Sequence, residues 1–262
     1  MRVLVTGAAR AIGRATVEVL SARGHEVVAT ARDVALLEGL PAVQVLPLDV
    51  RDAASVRAAV ARAGELDAIV NNAALTGSGP LETYPLDRFM QVLDVNAVGP
   101  LRMAQAVVPA WRERGSGALV NISSVQGKIG TPLEGSYAAS KHALEAISES
   151  MYLELGHFGI RVVIIEPGYI APGMKHDADH RGPEVYAELR DQMAGLDSTL
   201  TGPEGRPGPE TVASAVAAAI EDPETPLRVE VGRDAAMVFE LRRTLRDADF
   251  EATMREALGL TW

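Results

Sequence analysis

Tyr137 and Lys141 are four residues apart in a segment with helical spacing, which places a phenol and an ammonium on the same face of one helix. A free tyrosine has a pKa of about 10 and is a poor proton carrier at neutral pH. A nearby cation favours the phenolate and lowers that pKa, so the pair predicts a tyrosine that exchanges a proton with a carbonyl or alcohol oxygen. The alternative is a tyrosine in the core beside a lysine on the surface.

Two serines, Ser123 and Ser124, follow a predicted strand at 118–122, shortly before Tyr137. In an open α/β sheet the carboxyl ends of the strands line the ligand crevice, so a serine there can hydrogen-bond the same carbonyl oxygen. A helix cap or a turn hydroxyl is the alternative. Asn96 falls inside a predicted helix, where an amide is neutral to unfavourable and is usually exposed.

A turn of small residues between Gly7 and Gly13 joins the first predicted strand to an amphipathic helix. A helix N-terminus offers unpaired N–H groups, and small residues let the backbone approach a pyrophosphate closely. The turn therefore predicts a dinucleotide site, with a tight turn that binds no ligand as the alternative. Asp33 lies twenty residues after Gly13, as expected of an acid that holds a ribose 2′-hydroxyl, whereas Arg32 and Arg10 could bind a 2′-phosphate instead.

The elements that must position these residues alternate along most of the chain. Short strands rich in Val, Ile and Leu are predicted at 3–6, 26–30, 43–48, 68–71, 118–122, 162–165 and 227–231. Helices are predicted at 12–22, 53–63, 86–112, 137–156 and 209–221. Strands that are apolar on both faces and alternate with helices predict an α/β fold: one doubly wound Rossmann-type domain over 1–262, with a seven-stranded, mostly parallel sheet flanked by helices.

Two segments near the carboxyl end have less regular patterns. The stretch at about 171–209 is rich in proline, glycine and charge, and we interpret it as a substrate loop rather than a domain boundary. It contains His176 and His180 at helical spacing, but no matching strand-end ligand accompanies them, so no metal site is predicted. The stretch at about 235–260 is predicted to be one helix, with an apolar stripe that serves core docking or an oligomer contact.

Composition excludes several classes of function. The 262 residues include 25 Lys and Arg against 35 Asp and Glu, a net charge of −10 that lacks the basic footprint of a nucleic-acid partner. The chain has no cysteine, which excludes disulfides and thiolate sites. No apolar run approaches the roughly 20 residues of a membrane helix, and the first apolar run is too short for a signal peptide. We therefore expect a cytoplasmic protein with no membrane partner.

Taken together, these residues resemble the classical short-chain dehydrogenase/reductase family, nearest to its hydroxysteroid dehydrogenase-like branch. The resemblance runs from Val3 to about Gly168, and the run 124–127 carries the hydroxysteroid-like part. The matching positions are 6–13, Asp49, 71–73, Asn96, Ser124, Tyr137, Lys141 and 167–168.

The resemblance implies an oxidoreductase that transfers a hydride between nicotinamide and a carbonyl or secondary alcohol. Tyr137 would be the general acid/base, and Lys141 would lower its pKa and bind the nicotinamide ribose. Ser124, whose spacing to Tyr137 suits the family better than that of Ser123, would orient the substrate carbonyl. Asn96 would hold a water molecule in a proton relay.

A nicotinamide cofactor is implied by the same resemblance. Ala31 followed by Arg32, with Arg10, resembles the NADP-type pattern, so NADP(H) is preferred and NAD(H) is the alternative. Two departures stand out: Ala11 replaces the usual second glycine, and the run 168–172 lacks a threonine often found there. Besides Tyr137 and Lys141, the implied cofactor residues are Gly7, Ala9, Arg10, Ala11, Ile12, Gly13, Arg32, Asp49, Val50, Asn72, Ala73, Pro167, Gly168 and Ile170.

The substrate is less defined than the chemistry. A small carbonyl or alcohol compound is expected, and the family implies a homodimer or homotetramer packed through the helices that hold Asn96 and Tyr137. A cofactor-binding regulator without turnover, and a lyase or epimerase on the same fold, are the competing functions. The pocket candidates are Val125, Gln126, Ile129, Leu133, Glu134, Tyr169, Met174 and the loop at 175–205.

Overall fold

A parallel sheet in the order β3-β2-β1-β4-β5-β6-β7 forms the centre of the molecule. The computed structural model describes residues 1–174, 180–194 and 205–262. Every pairing between the seven strands is parallel, so the predicted Rossmann-type sheet is confirmed. The strands are β1 (Arg2–Val5), β2 (Glu26–Ala31), β3 (Gln44–Pro47), β4 (Ala68–Asn71), β5 (Gly117–Ile122), β6 (Ile160–Pro167) and β7 (Arg228–Val231).

Helices cover both faces of this sheet, because successive strand residues are buried on opposite sides. In β1, Val3 and Val5 belong to one apolar cluster and Leu4 belongs to the other. The helices are α1 (Ala11–Ala22), α2 (Ala53–Ala63), α3 (Leu86–Leu93), α4 (Gly99–Arg114), α5 (Gly135–Leu155), α6 (Ala187–Ala194), α7 (Pro209–Glu221), α8 (Arg233–Thr244) and α9 (Asp247–Ala257). Residues of α1 and α7 pack in the first cluster, and those of α2, α4 and α5 pack in the second.

The strand order changes direction between β1 and β4. Strands β2 and β3 follow on the outer side of β1, whereas β5, β6 and β7 follow on the outer side of β4. Ligands of open α/β sheets bind at such a switch point, outside the carboxyl ends of the strands. The glycine turn follows β1 and Asn72 follows β4, so the fold brings these two segments together at that edge.

The predicted helix at 86–112 is wrong in its middle, because a π-helical turn at Asp94–Val98 separates α3 from α4. The N–H of Gly99 donates to the carbonyl of Asp94, five residues back. Position 100 is a proline without an N–H, so the Asn96 carbonyl loses its usual α-helical donor. The turn places Asn96 in the interior.

The carboxyl-terminal stretch at 235–260 is also not one helix. Between α8 and α9 the backbone of Leu245 and Arg246 is extended, with φ, ψ of −98, 146 and −73, 161. Asp247 and Asp249 then occupy the first turn of α9, where negative charge favours a helix start. Phe250 and Met254 pack on an apolar cluster that includes Val125 and Ile129 from the segment after β5, which agrees with core docking.

The predicted loop at 171–209 contains more structure than expected. Glu184–Tyr186 forms one 3-10 turn and leads into α6, whose Leu189 is buried. Of the two histidines considered as metal ligands, His176 lies outside the described residues. Within 1–174, 180–194 and 205–262, no group of three potential ligand side chains could hold a metal ion, and no helix could cross a membrane. That 1–262 forms one domain stays a prediction.

Candidate active site

The first two turns of α5 hold the predicted phenol–ammonium pair. The Lys141 Nζ lies 5.5 Å from the centre of the Tyr137 ring, so their placement side by side is confirmed. Lys141 is buried, and its Nζ donates a hydrogen bond of 2.7 Å to the carbonyl of Ile122, the last residue of β5. The helix therefore carries the pair to the carboxyl end of β5.

Ser124, not Ser123, meets Tyr137. The hydroxyl groups of Ser124 and Tyr137 share a hydrogen bond, and the Ser124 Oγ also accepts one from the Gln126 N–H at 3.2 Å. Ser124 is extended, so the two consecutive serine side chains point to opposite sides. The Ser123 hydroxyl is buried and has no hydrogen-bond partner among the residues that the structure describes.

The pKa of Tyr137 is raised, which corrects the expectation that Lys141 would lower it. Burial of the phenol is the largest cause, the Ser124 hydrogen bond opposes it, and the negative charge of Glu134 adds to it. Burial also lowers the pKa of Lys141 to about 8, although the Glu145 carboxylate counteracts this effect. The Lys141 ammonium donates to the Ile122 carbonyl, and burial of the phenol is what dominates the pKa of Tyr137.

Asn96 uses its whole side-chain amide inside the protein. Its Nδ2 donates to the Leu75 carbonyl at 2.8 Å and to the Ser140 Oγ at 2.9 Å, and its Oδ1 accepts from the Leu75 N–H at 2.8 Å. These bonds tie the segment after β4 to α5. That Asn96 holds a relay water stays a prediction, and its side-chain amide is already engaged by these bonds.

The glycine turn is locked against the segment after β4. A Cβ at Gly7, whose φ is +66°, would lie 2.8 Å from the Ala73 Cα, and a Cβ at Gly13 would lie 2.5 Å from the Asn72 Nδ2. The Asn72 Nδ2 donates to the carbonyls of Thr6 and Gly7 at 2.9 and 3.1 Å. Both glycines are thus required by close backbone approach.

The first residue of α1 is Ala11, which has a φ of +42°. This left-handed conformation favours glycine, so the alanine introduces backbone strain into the turn. Arg10 precedes it as the N-cap residue, with an exposed side chain that caps no backbone group. The helix α1 therefore begins directly after the turn, near the carboxyl end of β1.

The charged side chains after β2 and β3 differ in the number of hydrogen bonds and salt bridges that they make. Arg32 is exposed and makes no hydrogen bond or salt bridge within the described part of the chain, while the Asp33 carboxylate accepts from the Ala35 N–H at 3.0 Å and caps a short 3-10 turn. Asp49 is held by Arg51 through contacts of 2.6 and 3.0 Å, which lower the pKa of Asp49. Sequence reasoning missed Arg51.

Asp234 is a second residue that sequence reasoning missed. Its Oδ2 accepts a hydrogen bond of 2.6 Å from the Tyr169 N–H, and its carboxylate fills the space that a side chain at Gly168 would occupy. Asp234 lies in the first turn of α8, after Gly232. An acid at a helix start is a visible signal, but its partner is far away in sequence.

The other predicted cofactor residues lie near the carboxyl ends of the strands. Val50 is buried, and its carbonyl accepts from Arg102 at 3.2 Å. Pro167 ends β6, and Ile170 is buried shortly beyond it. The remaining members, in the segments after β1 and β4, are the partly exposed Ala9, Ile12 and Ala73.

A small cavity of about 20 Å³ lies beside the loop after β5. It contains four of the predicted pocket residues: Val125, Gln126, Ile129 and Tyr169. The residues that were not predicted are Thr131, Asp234, Val238, Met254 and Leu258, mostly from α8 and the carboxyl-terminal region. An adjoining pocket of about 420 Å³ shares Ile129, Thr131, Met254 and Leu258 with this cavity.

Three predicted pocket residues, Leu133, Glu134 and Met174, line neither cavity. Glu134 hydrogen-bonds the Gln126 amide, and its charge helps to raise the pKa of Tyr137. The pKa of Tyr169 is raised to about 12, mainly by burial.

Comparison with known proteins gives a consistent result. The sequence matches the short chain dehydrogenase family over residues 1–182. A 3-ketodihydrosphingosine reductase from Bacteroides thetaiotaomicron is 32% identical over 248 residues, which cover 90% of this chain and 90% of the relative. An estradiol 17-beta-dehydrogenase 1 from Rattus norvegicus is 38% identical over 205 residues, which cover 72% of this chain and 59% of the relative.

Solved structures show the same likeness over the whole chain. A short-chain dehydrogenase from Streptomyces avermitilis has a TM-score of 0.82 at 31% identity, covering 100% of this chain and 99% of that one. A short chain dehydrogenase from Burkholderia cenocepacia in complex with NADP has a TM-score of 0.77 at 26% identity, covering 100% and 98%. The match over 1–182 and these relatives show that the chain belongs to the short-chain dehydrogenase/reductase family, whose members are oxidoreductases that use nicotinamide cofactors.

Proposed function

We propose that this protein is an NADP(H)-dependent oxidoreductase that interconverts a carbonyl and a secondary alcohol, with Tyr137 as the general acid/base. The observation that carries the proposal is the placement of the Lys141 ammonium 5.5 Å from the Tyr137 ring centre at the carboxyl end of β5, where Ser124 acts as the partner of the phenol. A protein that only binds a cofactor has no need of such a proton-transfer group.

The residues around the switch point fit a dinucleotide. The glycine turn leaves no room for side chains at Gly7 or Gly13, which brings the backbone close to a bound pyrophosphate at the N-terminus of α1. Gly168, which follows β6, lies against the Asp234 carboxylate, so a side chain there would displace Asp234. When bound, the nicotinamide supplies or accepts the hydride.

The side chains of the site divide the proton chemistry. The raised pKa of Tyr137 keeps its proton on the phenol at neutral pH, which suits donation to a carbonyl oxygen. Ser124, hydrogen-bonded to that phenol, is placed to orient the same oxygen. Lys141 supplies positive charge beside the phenol, which favours the phenolate once the proton has left.

Three observations support NADP(H) over NAD(H). Asp33 uses a carboxylate oxygen to cap a backbone N–H, which competes with binding of a ribose hydroxyl. Arg32 and Arg10 are both exposed beside the dinucleotide site, where two guanidinium groups suit a 2′-phosphate. The similar structure from Burkholderia cenocepacia is a complex with NADP.

The lining of the two adjoining pockets supports an apolar substrate. Val125, Ile129, Val238, Met254 and Leu258 contribute most of the smaller cavity, and the wider pocket adds further apolar side chains. The relatives described above are named for 3-ketodihydrosphingosine and estradiol. We infer a ketone or secondary alcohol on an extended apolar skeleton as the substrate class.

A homodimer or homotetramer is the proposed assembly. Exposed apolar side chains occur on α3 and α5, which pack against each other and flank the site. Leu86 and Met90 are 80% and 61% exposed, and Tyr152 and Leu153 are 45% and 74% exposed. An apolar surface of this kind favours contact with a second copy of the chain.

A panel of apolar ketones and secondary alcohols, followed by the absorbance of reduced cofactor with NADPH and NADH, tests the proposal. Turnover with NADPH is expected, and Tyr137→Phe should lower kcat by roughly 10²–10⁴-fold while NADPH binding, measured by fluorescence, is retained. Near wild-type turnover in Tyr137→Phe would show that Tyr137 is not the acid/base. NADPH binding without turnover of any compound would favour a cofactor-binding regulator.

A further inference from the structure

Two glutamates that the proposed reaction does not use are buried together behind the loop that follows β5. Glu145 lies on α5, one turn beyond Lys141, and Glu166 lies near the end of β6. Their side chains are 4% and 2% exposed. Buried carboxyl groups are costly unless they are paired or neutralised, so this pair needs a physical explanation.

Both carboxyl groups face the same Arg228 Nε. The Oε1 atoms of Glu145 and Glu166 are buried and have no hydrogen-bond partner among the described residues. Two ionised carboxylates are both acceptors and cannot satisfy each other, so a hydrogen bond between them requires that one carries a proton. A single shared proton satisfies both groups.

The surrounding cations place the negative charge on Glu145. Its Oε2 lies 3.1 Å from the Arg228 Nε and 3.3 Å from the Lys128 Nζ. The contact of Glu166 to the same Arg228 Nε is longer, at 3.8 Å. Burial and the Glu145 charge raise the pKa of Glu166 to about 8, in agreement with a proton on Glu166.

Among the residues that the structure describes, the other charged groups near the pair lie at its edge. Arg228 also contacts Glu149 at 3.7 Å, but Glu149 is 58% exposed. Glu230, beside Glu166 in the sheet register, is paired with Arg243 at 3.7 Å. The one further buried cation along α5 is Lys141, and Glu145 counteracts the effect of burial on it.

We propose that Glu145 and Glu166 are positioning residues that share one proton, carried by Glu166, and that the negative charge left on Glu145 keeps the neighbouring Lys141 ammonium charged inside the protein. The role of Lys141 rests on the proposed function, whereas the shared proton does not. Glu145 and Lys141 are four residues apart on one helix face, where opposite charges stabilise each other.

The shared proton makes folding stability depend on pH in a defined direction. The folded protein holds the Glu166 proton up to about pH 8, whereas the unfolded chain releases it at the ordinary value of 4.5. The folded state therefore binds more protons between these values, and stability falls as the pH rises through this range. The Tm of the wild type should fall by several degrees over it.

Thermal unfolding of Glu166→Gln tests this step without reference to activity. Glutamine keeps a neutral donor toward Glu145 but does not titrate, so the pH dependence of the Tm should flatten over the same range. Glu149→Gln removes an exposed carboxylate beside the same arginine and should keep the wild-type slope. A wild-type slope in Glu166→Gln would overturn the shared proton.

The effect on Lys141 is read from the alkaline fall in kcat/KM with NADPH, and from the alkaline loss of NADPH binding measured by fluorescence. Glu145→Gln should move both to lower pH by at least about one unit, as expected for loss of a nearby opposite charge. Glu166→Gln should leave the pH of both alkaline losses unchanged. If Glu145→Gln shifts neither the fall in kcat/KM nor the loss of NADPH binding, the role of Glu145 is overturned.

The two outcomes remain separable from the proposed function. If no compound is turned over, NADPH binding against pH still reports on Lys141, and the unfolding slope still reports on the proton. If Glu145→Gln does not fold, the slope of Glu166→Gln alone decides whether the pair shares a proton.

Discussion

At the scale of the residue, the two serines after β5 make opposite contacts from adjacent positions. Ser124 meets the Tyr137 hydroxyl, and Ser123 points to the far side, where a Cβ at Gly127 would lie 2.7 Å from its Oγ. Ser124→Ala should lower kcat by roughly 10²–10³-fold, the cost of removing a donor to a reacting oxygen. Ser123→Ala should change kcat by no more than a few-fold, and equal losses in the two variants would contradict this assignment.

Arg32 is the residue that separates the two cofactors. If it binds a 2′-phosphate, Arg32→Ala should weaken NADPH binding by roughly 10- to 150-fold, the cost of a charge-assisted contact, and leave NADH binding nearly unchanged. Titration calorimetry with both cofactors measures the difference. Arg57→Ala, which removes an exposed charge from α2, is the matched control.

Two results would speak against the phosphate contact of Arg32. Equal weakening of both cofactors, or a wild-type preference for NADH, would assign the ribose to Asp33 instead.

The candidate catalytic residues were accessible from sequence because spacing along one helix face is a local property. Tyr137 and Lys141 are one example, and the structure does bring them together. The pKa of Tyr137 was predicted with the wrong sign, because burial depends on segments distant in sequence. Asp234 was missed for the same reason, since 65 positions separate it from Tyr169.

At the scale of the element, the strand–turn–helix unit at the amino-terminal end carries strain at Ala11. An alanine at positive φ costs about 1 kcal/mol, and glycine relieves it at a smaller cost through the unfolded chain. Ala11→Gly should therefore raise the Tm of the cofactor-free protein by about 1–3 °C. Ala9→Gly, at a position without positive φ, should lower it. Destabilisation by both changes would contradict the strained turn.

Helix interruptions were the least predictable elements. The apolar period continues through 86–112, but the Asn96 amide binds both backbone polar groups of Leu75, which holds the π-turn in place. The dipeptide Gly99-Pro100 was the available signal for a break. The gap between α8 and α9 was marked only by Asp247, because the apolar stripe runs on across it.

At the scale of the whole molecule, the exposed apolar residues on α3 and α5 predict an assembly of two or four chains. Leu153→Glu should shift the mass measured by light scattering toward the 27.7 kDa of one chain, because a buried carboxylate disfavours the contact. Val185→Glu changes an exposed apolar residue outside these helices and should leave the mass unchanged. A Leu153→Glu protein of wild-type mass would exclude this face.

The fold as a whole was predictable because each strand is a short apolar run and the runs alternate with helices. Leu4 and Val5 are both fully buried, on opposite faces, which only a sheet covered on both sides explains. The pocket was not predictable to the same degree, since its walls come from the carboxyl-terminal region as well as from the loop after β5.

The contact between Asp234 and the segment after β6 couples the sequence of α8 to the sequence around Gly168. The Asp234 carboxylate fills the space beside Gly168 and lies close to that beside Gly232, so a side chain at either glycine would displace Asp234. A chimera that exchanges α8 and α9 with those of a relative to graft a new substrate preference must therefore carry Gly168 and Asp234 from the same parent. A chimera that takes Gly168 from one parent and Asp234 from the other would lose the fit between these two residues.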